Sequence, residues 1–337
     1  MNYFITGGTG FIGTHLASLL HEVHPETRIY NLDIVEPGTP LPTVKNYKPA
    51  LGNGEEHAAT FIYCDVRQPI ELEKVNITPD DVIFNFAAVH RTPGHPDPAY
   101  FETNIRGAEN VCAFAERHGI RKIVFTSSIA PYGAAEELKE ETTLPMPNTP
   151  YGISKLVAEK IHQTWQAGGE GRQLTIVRPG VVFGRGENGN FTRLYWGIRG
   201  HKFMYPGRKD TIKACIYVKE LVRFMLYRLE HHDSGVELYN CCYEPAYTIE
   251  HIVESMKRVT NMKVKVPFMP GWLIMTAAGI AGAIGSPMGI CPARVRKLQI
   301  STNICGKKLS ASGYRFRYTF EEALADWYKD NGNLYLQ

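Results

Sequence analysis

Short runs of apolar residues alternate along the first 240 positions with longer segments in which apolar residues recur every three or four positions. The short runs have the length and β-branched content of buried strands, and the longer segments have the periodicity of amphipathic helices. This alternation predicts a parallel α/β sheet with helices on both faces, because right-handed crossovers return the chain to the same edge. We predict seven strands, at Asn2–Thr6, Arg28–Leu32, Thr60–Cys64, Val82–Phe86, Lys122–Thr126, Leu174–Val177 and Val236–Asn240.

Helices are predicted at Thr14–His24, Asp97–His118, from Tyr151 onward and at Val218–His231. Because the alternation weakens beyond Val181, we expect two units. Residues 1–180 form a doubly wound nucleotide-binding domain to which residues 214–240 return, and residues 181–213 and 241–330 form a smaller C-terminal substrate-binding lobe. Loops without helix are predicted at residues 34–59, which hold four prolines, and at residues 131–148.

The first predicted strand runs directly into a glycine-rich turn, Gly7-Gly8-Thr9-Gly10-Phe11-Ile12-Gly13, and then into a helix. Strand, glycine turn and helix in this order are the context that a dinucleotide-binding motif requires. The glycines allow a tight turn and a close approach to a pyrophosphate, whose charge is favoured by the free N–H groups at the helix N-terminus. The sequence therefore predicts a Rossmann-type fold.

Residues at the ends of other predicted strands are placed to contact the same dinucleotide. Asp33 follows the second strand, about 20 residues after the glycines, where a carboxylate accepts hydrogen bonds from the adenosine ribose and repels a 2′-phosphate. This favours NAD over NADP. Asp65 and Val66 follow the third strand and are expected near the adenine. Ala87 and Ala88 follow the fourth, where small side chains let the backbone approach the cofactor.

The segment Tyr151-Gly152-Ile153-Ser154-Lys155 places a phenol and an ammonium four residues apart in a predicted helix. Residues i and i+4 share a helix face, so we expect Lys155 to stabilise the phenolate and to lower the tyrosine pKa from about 10. A cationic nicotinamide ring nearby adds to the effect. Such a pair is suited to general acid/base catalysis. Ser127 and Ser128 end a predicted strand, at the sheet edge where ligands bind in open α/β folds.

Composition argues against several other classes of protein. The net charge of +3 over 337 residues includes no concentrated basic stripe, so nucleic-acid binding is not expected. Seven cysteines without regular spacing indicate neither a disulfide framework nor a metal site. No secretory signal precedes the first strand, so we expect a cytoplasmic protein. From the cysteine spacing we expect no metal.

The stretch Val266–Ala293 contains no charged residue. Glycines and prolines interrupt it before it reaches the roughly 20 apolar residues that a membrane span needs. We expect a buried or partner-facing helix in this stretch, with a membrane-surface contact as the alternative.

Several motifs occur in a fixed order: the glycine turn, Asp33, Ser127-Ser128, Tyr151-x-x-x-Lys155, Arg178-Pro179-Gly180-Val181-Val182-Phe183-Gly184 and Ile216-Tyr217-Val218. In this order they make the chain resemble an extended short-chain dehydrogenase/reductase. Within that group the chain is similar to the NAD-dependent epimerase/dehydratase family, whose members mostly act on nucleotide-linked sugars. The resemblance covers nearly the whole chain.

The resemblance implies roles for individual residues. Ser128 would hold the reacting hydroxyl or carbonyl, Tyr151 would be the acid/base, and Lys155 would bind the nicotinamide ribose. Together with the strand-end residues, the expected cofactor contacts are Gly7, Gly10, Phe11, Ile12, Gly13, Asp33, Asp65, Val66, Ala87, Ala88, Tyr151 and Lys155. Asn104 falls where the family keeps an asparagine beside the cofactor. Substrate contacts are expected at His90, Arg91, Ser128, Asn190, Lys213 and Arg294. A lysine at position 213 replaces the family's arginine and lacks its bidentate fork.

The implied reaction removes a hydroxyl proton and transfers a hydride from the same carbon to NAD, giving a keto-sugar. We favour an epimerase acting at C4, which returns the hydride to the other face. A 4,6-dehydratase is disfavoured, because the family places Asp-Glu after the Ser/Thr and this chain has Ile129 and Ala130. The alternatives are a nucleotide-sugar 4-keto reductase or dehydrogenase, a hydroxysteroid-like alcohol dehydrogenase and a cofactor-sensing module. Relatives commonly form homodimers through a four-helix bundle of the Asp97–His118 and Tyr151 helices.

Overall fold

The computed structural model describes residues 1–38, 59–90, 94–133, 135–233, 235–273 and 299–337. Its strands in chain order are β1 (Asn2–Thr6), β2 (Arg28–Asp33), β3 (Thr60–Tyr63), β4 (Val82–Asn85), β5 (Lys122–Thr126), β6 (Ala135–Lys139), β7 (Gln173–Pro179), β8 (Val181–Phe183), β9 (Tyr205–Pro206), β10 (Ile212–Lys213), β11 (Cys215–Tyr217), β12 (Val236–Cys241), β13 (Tyr247–Thr248), β14 (Phe268–Met269) and β15 (Thr302–Ile304). Its helices are α1 (Phe11–Val23), α2 (Asp97–Arg117), α3 (Pro150–Ala167), α4 (Asn190–Arg199), α5 (Val218–Glu230), α6 (Ile249–Val259), α7 (Lys307–Ala311) and α8 (Phe320–Asp330), with a short 3₁₀ turn at Ala130–Tyr132.

Seven parallel strands form the central sheet in the order β12-β7-β5-β4-β1-β2-β3. All seven predicted strands lie in this sheet, and the predicted fold class is confirmed. The strand order changes direction between β1 and β4. In doubly wound sheets ligands bind at such a switch point, outside the carboxyl ends of the strands.

Helices cover both faces of this sheet because its central strands are apolar on both sides. In β1, Tyr3 and Ile5 point into one core with Leu16 and Leu20 of α1, and Phe4 points into the other. Side chains of α5 join the first core, whereas α2 and α3 cover the second. The two layers fix the glycine turn on one side of the crevice and α3 on the other.

The remaining strands, some of which come between strands of the central sheet in the chain, form smaller sheets. The strand order β13-β10-β15-β6 forms a small sheet, and β11 pairs with β8 and β14 with β9. The core of α4, α6 and α8 is built on aromatic rings, including Phe183 stacked on Phe191 with centroids 4.8 Å apart.

The expectation of a loop throughout residues 131–148 is wrong at β6. The strand sequence is Ala-Glu-Glu-Leu-Lys, which has too few apolar positions to show an alternating pattern. Tertiary contacts hold it: Glu136 accepts hydrogen bonds from the Ser301 amide at 2.9 Å and from the Arg208 guanidinium at 2.8 Å. Residues 39–58 of the predicted 34–59 loop, and residues 274–293 of the uncharged stretch, lie outside the described residues.

Candidate active site

The glycine turn has the geometry of a pyrophosphate cradle. Gly7 has a φ of +69°, and a Cβ atom on it would lie 2.8 Å from the amide nitrogen of Ala87. A Cβ atom on Gly13 would lie 2.6 Å from the Cα of Gly8. Helix α1 begins after Gly10 with no side chain capping it, so the first-turn N–H groups are available to an anion. The turn therefore fits the diphosphate of a dinucleotide.

Asp33 ends β2 with its carboxylate fixed beside this turn. One oxygen accepts hydrogen bonds from the Thr9 hydroxyl at 2.7 Å and the Thr9 amide at 3.2 Å, and the other accepts from the Val35 amide at 3.2 Å. A carboxylate offers about four lone-pair positions, so acceptor capacity remains for a ribose hydroxyl. The ribose contact predicted for Asp33 fits this arrangement.

The two predicted adenine contacts, Asp65 and Val66, have different surroundings in the structure. The Asp65 carboxylate binds the guanidinium of Arg67, with a closest distance of 2.6 Å, and these hydrogen bonds lower the pKa of Asp65. Val66 is buried, and its carbonyl accepts a hydrogen bond from the Asn110 amide at 2.8 Å. An adenine contact through Val66 remains a prediction, and the carboxylate of Asp65 is occupied by Arg67.

Asn104 connects the loop after β4 to the start of α3. Its side-chain oxygen accepts from the Val89 amide at 2.8 Å, and its NH₂ group donates to the Val89 carbonyl at 3.1 Å and to the Ser154 hydroxyl at 2.8 Å. The Ser154 hydroxyl in turn donates to the carbonyl of Tyr151 at 2.9 Å. Asn104 therefore fixes the loop that contains Ala87 and Ala88 relative to Tyr151.

The start of α3 brings the two predicted catalytic hydroxyls together. Thr149 caps the helix by accepting a hydrogen bond from the Gly152 amide at 3.1 Å. A Cβ atom on Gly152 would lie 2.7 Å from the carbonyl oxygen of Ala130, so the helix approaches the loop after β5 closely. Across this contact the Ser128 side chain interacts with the Tyr151 phenol and lowers its pKa.

The expectation that Lys155 lowers the pKa of Tyr151 is wrong for the protein alone. Burial raises the pKa of Tyr151 to about 12, and the hydrogen bond from Ser128 opposes this only in part. Lys155 is itself 2% exposed, and burial lowers its pKa to about 7 against the opposing charge of Glu159. Its ammonium lies 4.4 Å from the centroid of the Phe125 ring. Desolvation thus disfavours the charged forms of both Tyr151 and Lys155. Further positive charge beside the Tyr151 phenol is needed to lower its pKa.

A buried ion pair beneath the site was not predicted. Glu159 accepts from the Arg178 guanidinium at 2.8 and 2.6 Å and from the Ser127 hydroxyl at 2.5 Å. Glu159 lies four residues after Lys155 and eight after Tyr151, on the same face of α3. This repeated spacing of four could have predicted that Glu159 lies beside the site. The pairing agrees with a structural role for Ser127, whereas the Ser128 hydroxyl accepts a hydrogen bond from the Ala130 amide at 3.1 Å.

The predicted substrate residues are only partly brought to the site. His90 lies exposed after Ala88, and Asn190 begins α4, where its side-chain oxygen accepts from Arg193 at 2.8 Å. Lys213 is in β10 and donates to the carbonyl of Ile300 at 2.8 Å. Arg91 and Arg294 lie outside the described residues.

The positions after Ser128 contain no acid/base pair. Ile129 and Ala130 lead into the 3₁₀ turn, and the Ile129 amide donates to the Pro179 carbonyl at 3.3 Å. Among the residues that the structure describes, no cluster of three or more His, Cys, Asp or Glu could hold a metal ion. Within the same residues, no helix has both the length and the apolar character to cross a membrane.

Comparison with known proteins agrees with this geometry. The model of the NAD dependent epimerase/dehydratase family matches residues 3–242. A curated relative, the N-acetyl-α-D-glucosaminyl-diphospho-ditrans,octacis-undecaprenol 4-epimerase of Escherichia coli O157:H7, is 30% identical over 96% of this chain and 93% of its own length.

Two solved structures share the fold over nearly the full length. The UDP-N-acetylglucosamine 4-epimerase from Methanobrevibacter ruminantium M1, in complex with UDP-N-acetylmuramic acid, has a TM-score of 0.74 at 21% identity and covers 98% of both chains. The UDP-glucuronic acid 4-epimerase from Bacillus cereus, in complex with NAD, has a TM-score of 0.73 at 19% identity and covers 99% of this chain and 100% of its own.

Proposed function

Since this chain belongs to the NAD-dependent epimerase/dehydratase family, we propose that it is a 4-epimerase of a sugar linked through a diphosphate, with NAD as its cofactor. One observation carries the proposal. The Ser128 side chain, just after β5, interacts with the Tyr151 phenol at the start of α3 and lowers its pKa, and the glycine turn after β1 fits a pyrophosphate.

The glycine turn and Asp33 would hold NAD, which would supply an acceptor for the hydride of C4 and a donor for its return. Tyr151 removes the proton of the C4 hydroxyl, and the Ser128 hydroxyl donates a hydrogen bond to the resulting carbonyl oxygen. Lys155 holds positive charge near the phenolate and binds the nicotinamide ribose. The proton returns from Tyr151 to the oxygen after the sugar has turned over, so the enzyme ends in its starting state.

The surrounding residues favour epimerisation over the other reactions of this family. A dehydratase needs a second acid/base pair next to the site, and this chain has Ile129 and Ala130 where it would stand. A net reductase exchanges its cofactor and often uses NADPH, whereas the carboxylate of Asp33 repels a 2′-phosphate. The predicted catalytic, cofactor and substrate residues are part of this proposal, as is the division into a domain of residues 1–180 with 214–240 and a lobe of residues 181–213 with 241–330.

A nucleotide-linked sugar is the first candidate substrate. The second is a sugar on a lipid diphosphate, which the name of the Escherichia coli relative suggests. Both present a diphosphate and a pyranose, so Lys213 and His90 are proposed to contact either one.

We further propose a homodimer in the cytoplasm. Helices α2 and α3 pack together, and α3 exposes Ile153 and Val157 one turn apart, at 40% and 36%, as expected of a face in a four-helix bundle. Six cysteines among the described residues are free and buried, which suits a reducing compartment.

The proposed reaction is tested by the cofactor content and the product. We expect the denatured protein to release close to one NAD per chain, and incubation with UDP-N-acetylglucosamine or its lipid-diphosphate counterpart to give the C4 epimer by NMR without net NADH. A protein that binds NADPH reversibly and consumes it with a keto-sugar would be a reductase, and the proposal would fail.

A further inference from the structure

Strand β14 and the residues that follow it carry exposed apolar side chains. Phe268 is 51% exposed, Trp272 is 72% exposed and Leu273 is 41% exposed. No other six-residue window among the described residues exposes three large hydrophobic side chains. Burial of such side chains against a partner removes apolar area from water, so a patch of this kind indicates a contact surface.

Positive charge borders this patch. Lys263 and Lys265 are exposed in the segment leading to β14, and Lys202 is exposed shortly before β9. None of the three forms an ion pair with any residue that the structure describes. The neighbouring carboxylates of Glu250 and Glu254 are already paired with other lysines. The segments adjoining the patch therefore carry three lysines that form no ion pair within the described part of the chain.

The patch is connected to the loop that carries Ser128. That loop continues into β6, whose Ala135 pairs with Thr302 of β15. Gln299, three residues before Thr302, lies against the β9–β14 ribbon: Cβ atoms on Gly207 and Gly271 would lie 3.0 and 3.3 Å from its side-chain nitrogen. Anything bound at the patch is thus held next to the small sheet whose strand β6 follows the Ser128 loop.

A group of large apolar side chains that includes a tryptophan and is bordered by lysines is typical of a surface that binds at a membrane–water interface. A protein partner would be expected to supply acidic groups, but an anionic bilayer supplies both the negative surface and the apolar interior. The described residues 266–273, which contain the patch, carry no charge.

We propose that Phe268, Trp272 and Leu273, bordered by Lys202, Lys263 and Lys265, form a bilayer-docking surface. This inference rests on the proposed 4-epimerase function and deepens it. A surface that holds the crevice at a membrane assigns the substrate to the class of sugars carried on a lipid diphosphate, whose head group projects from the bilayer.

Vesicle flotation tests the docking surface without any enzymatic step. The full-length protein should float with vesicles of phosphatidylglycerol and phosphatidylethanolamine, and less with phosphatidylcholine alone. Lys263→Gln/Lys265→Gln should reduce the partition coefficient about 30-fold, at roughly 1 kcal/mol per lysine. The matched control Lys74→Gln/Lys160→Gln should not. Absence of flotation by the wild-type protein, or equal flotation of both double variants, overturns the proposal.

Tryptophan quenching by brominated lipids tests which side chain enters the bilayer. Two of the four tryptophans are exposed, Trp272 and Trp196. Vesicle-dependent quenching should disappear in Trp272→Phe and persist in Trp196→Phe. Persistence in Trp272→Phe contradicts the assignment. The patch could instead be a subunit interface. In that case the wild-type protein would not bind vesicles, and Phe268→Ser/Trp272→Ser would dissociate its dimer. That outcome also overturns the bilayer-docking proposal.

Activity separates this inference from the function on which it rests. The docking variants should lose turnover of polyprenyl-diphosphate-linked N-acetylglucosamine in vesicles at least tenfold while retaining bound NAD. If that turnover is unchanged in the variants, the enzyme is an epimerase and the docking surface is wrong. If the wild-type protein floats but epimerises no sugar, the proposed function fails and the surface stands alone.

Discussion

Glu159 and Arg178 form a bidentate ion pair, 2.8 and 2.6 Å long, directly beneath the catalytic face of α3. Both are almost fully buried, at 1% and 3% exposure, and burial alone would lower the pKa of Arg178. The hydrogen bonds that Arg178 donates to Glu159, and the negative charge of Glu159, more than offset this and keep the pKa of Arg178 raised. Because Glu159 also raises the pKa of Lys155, one carboxylate supports both the packing under the site and the charge within it.

Glu159→Gln should therefore change stability and catalysis together. Removing one charge of a buried pair leaves the other uncompensated, at a cost of about 3 kcal/mol or more. The pKa of Lys155 should also fall further, so Lys155 loses its proton at a lower pH. As pH rises, the decline in activity should therefore begin at a lower pH than in the wild-type enzyme. The control is Glu237→Gln, which breaks the similarly buried pair with Arg228 at 2.5 Å. That variant should lose stability and keep the wild-type pH–rate profile; a shifted profile in both variants would contradict the role given to Glu159.

Tyr151→Phe should fold, bind NAD and lose turnover by about 10²–10⁴-fold, because the acid/base hydroxyl is gone. Tyr132→Phe is the matched control. Its phenol donates to the side chain of Asn240 at 2.9 Å, away from Ser128, so only about 1 kcal/mol of stability should be lost. Stopped assays of C4 epimer formation measure both variants. Turnover of Tyr151→Phe within a few-fold of wild type would remove this residue from the mechanism.

Ser127 and Ser128 should respond oppositely to replacement by alanine. Ser128→Ala removes the hydroxyl that holds the carbonyl oxygen, and the rate should drop about 10²-fold or more with little change in the free energy of unfolding. Ser127→Ala removes a buried hydrogen bond to Glu159 and should cost about 1–3 kcal/mol of stability with a smaller effect on rate. Rate measurements and urea unfolding on both proteins decide; the reverse pattern would exchange the roles of the two serines.

Lys155 should make the stability of the cofactor-free protein depend on pH. Its pKa is about 7 in the folded protein against 10.5 for an unperturbed lysine, so the unfolded chain binds the extra proton between these values. Stability should therefore increase as pH rises above 7, with a slope of up to about 1.4 kcal/mol per pH unit. Urea unfolding between pH 7 and 8.5 should show this slope in the wild type and in the exposed-site control Lys160→Met. Lys155→Met should lack it, and equal slopes in all three proteins would exclude a depressed pKa.

Asp33→Ala should weaken NAD about tenfold or more, because a charged hydrogen-bond acceptor is lost, and should narrow the preference for NAD over NADP. Asp65→Ala provides the comparison, since that carboxylate is held by Arg67. Its NAD to NADP affinity ratio should remain that of the wild type. Titration calorimetry with both dinucleotides measures the ratios, and an unchanged preference in Asp33→Ala would show that another residue reads the ribose.

The sequence by itself determined the frame of this protein. The alternation of apolar strands and amphipathic helices fixes a parallel sheet, since each element has to bury its apolar face next to its neighbours. The glycine spacing and the i, i+4 positions of Tyr151 and Lys155 are local properties, because the geometry of a turn and of one helix follows from nearby residues.

Only the tertiary structure decided what depends on residues far apart in the chain. The approach of Ser128 to Tyr151, the hydrogen bonds of Asn104 with Val89 and Ser154, and the pairing of polar β6 with β15 all arise from segments brought together by packing. The raised pKa of Tyr151 was missed for the same reason. Helix spacing reports which side chains are neighbours, but desolvation depends on everything that covers them.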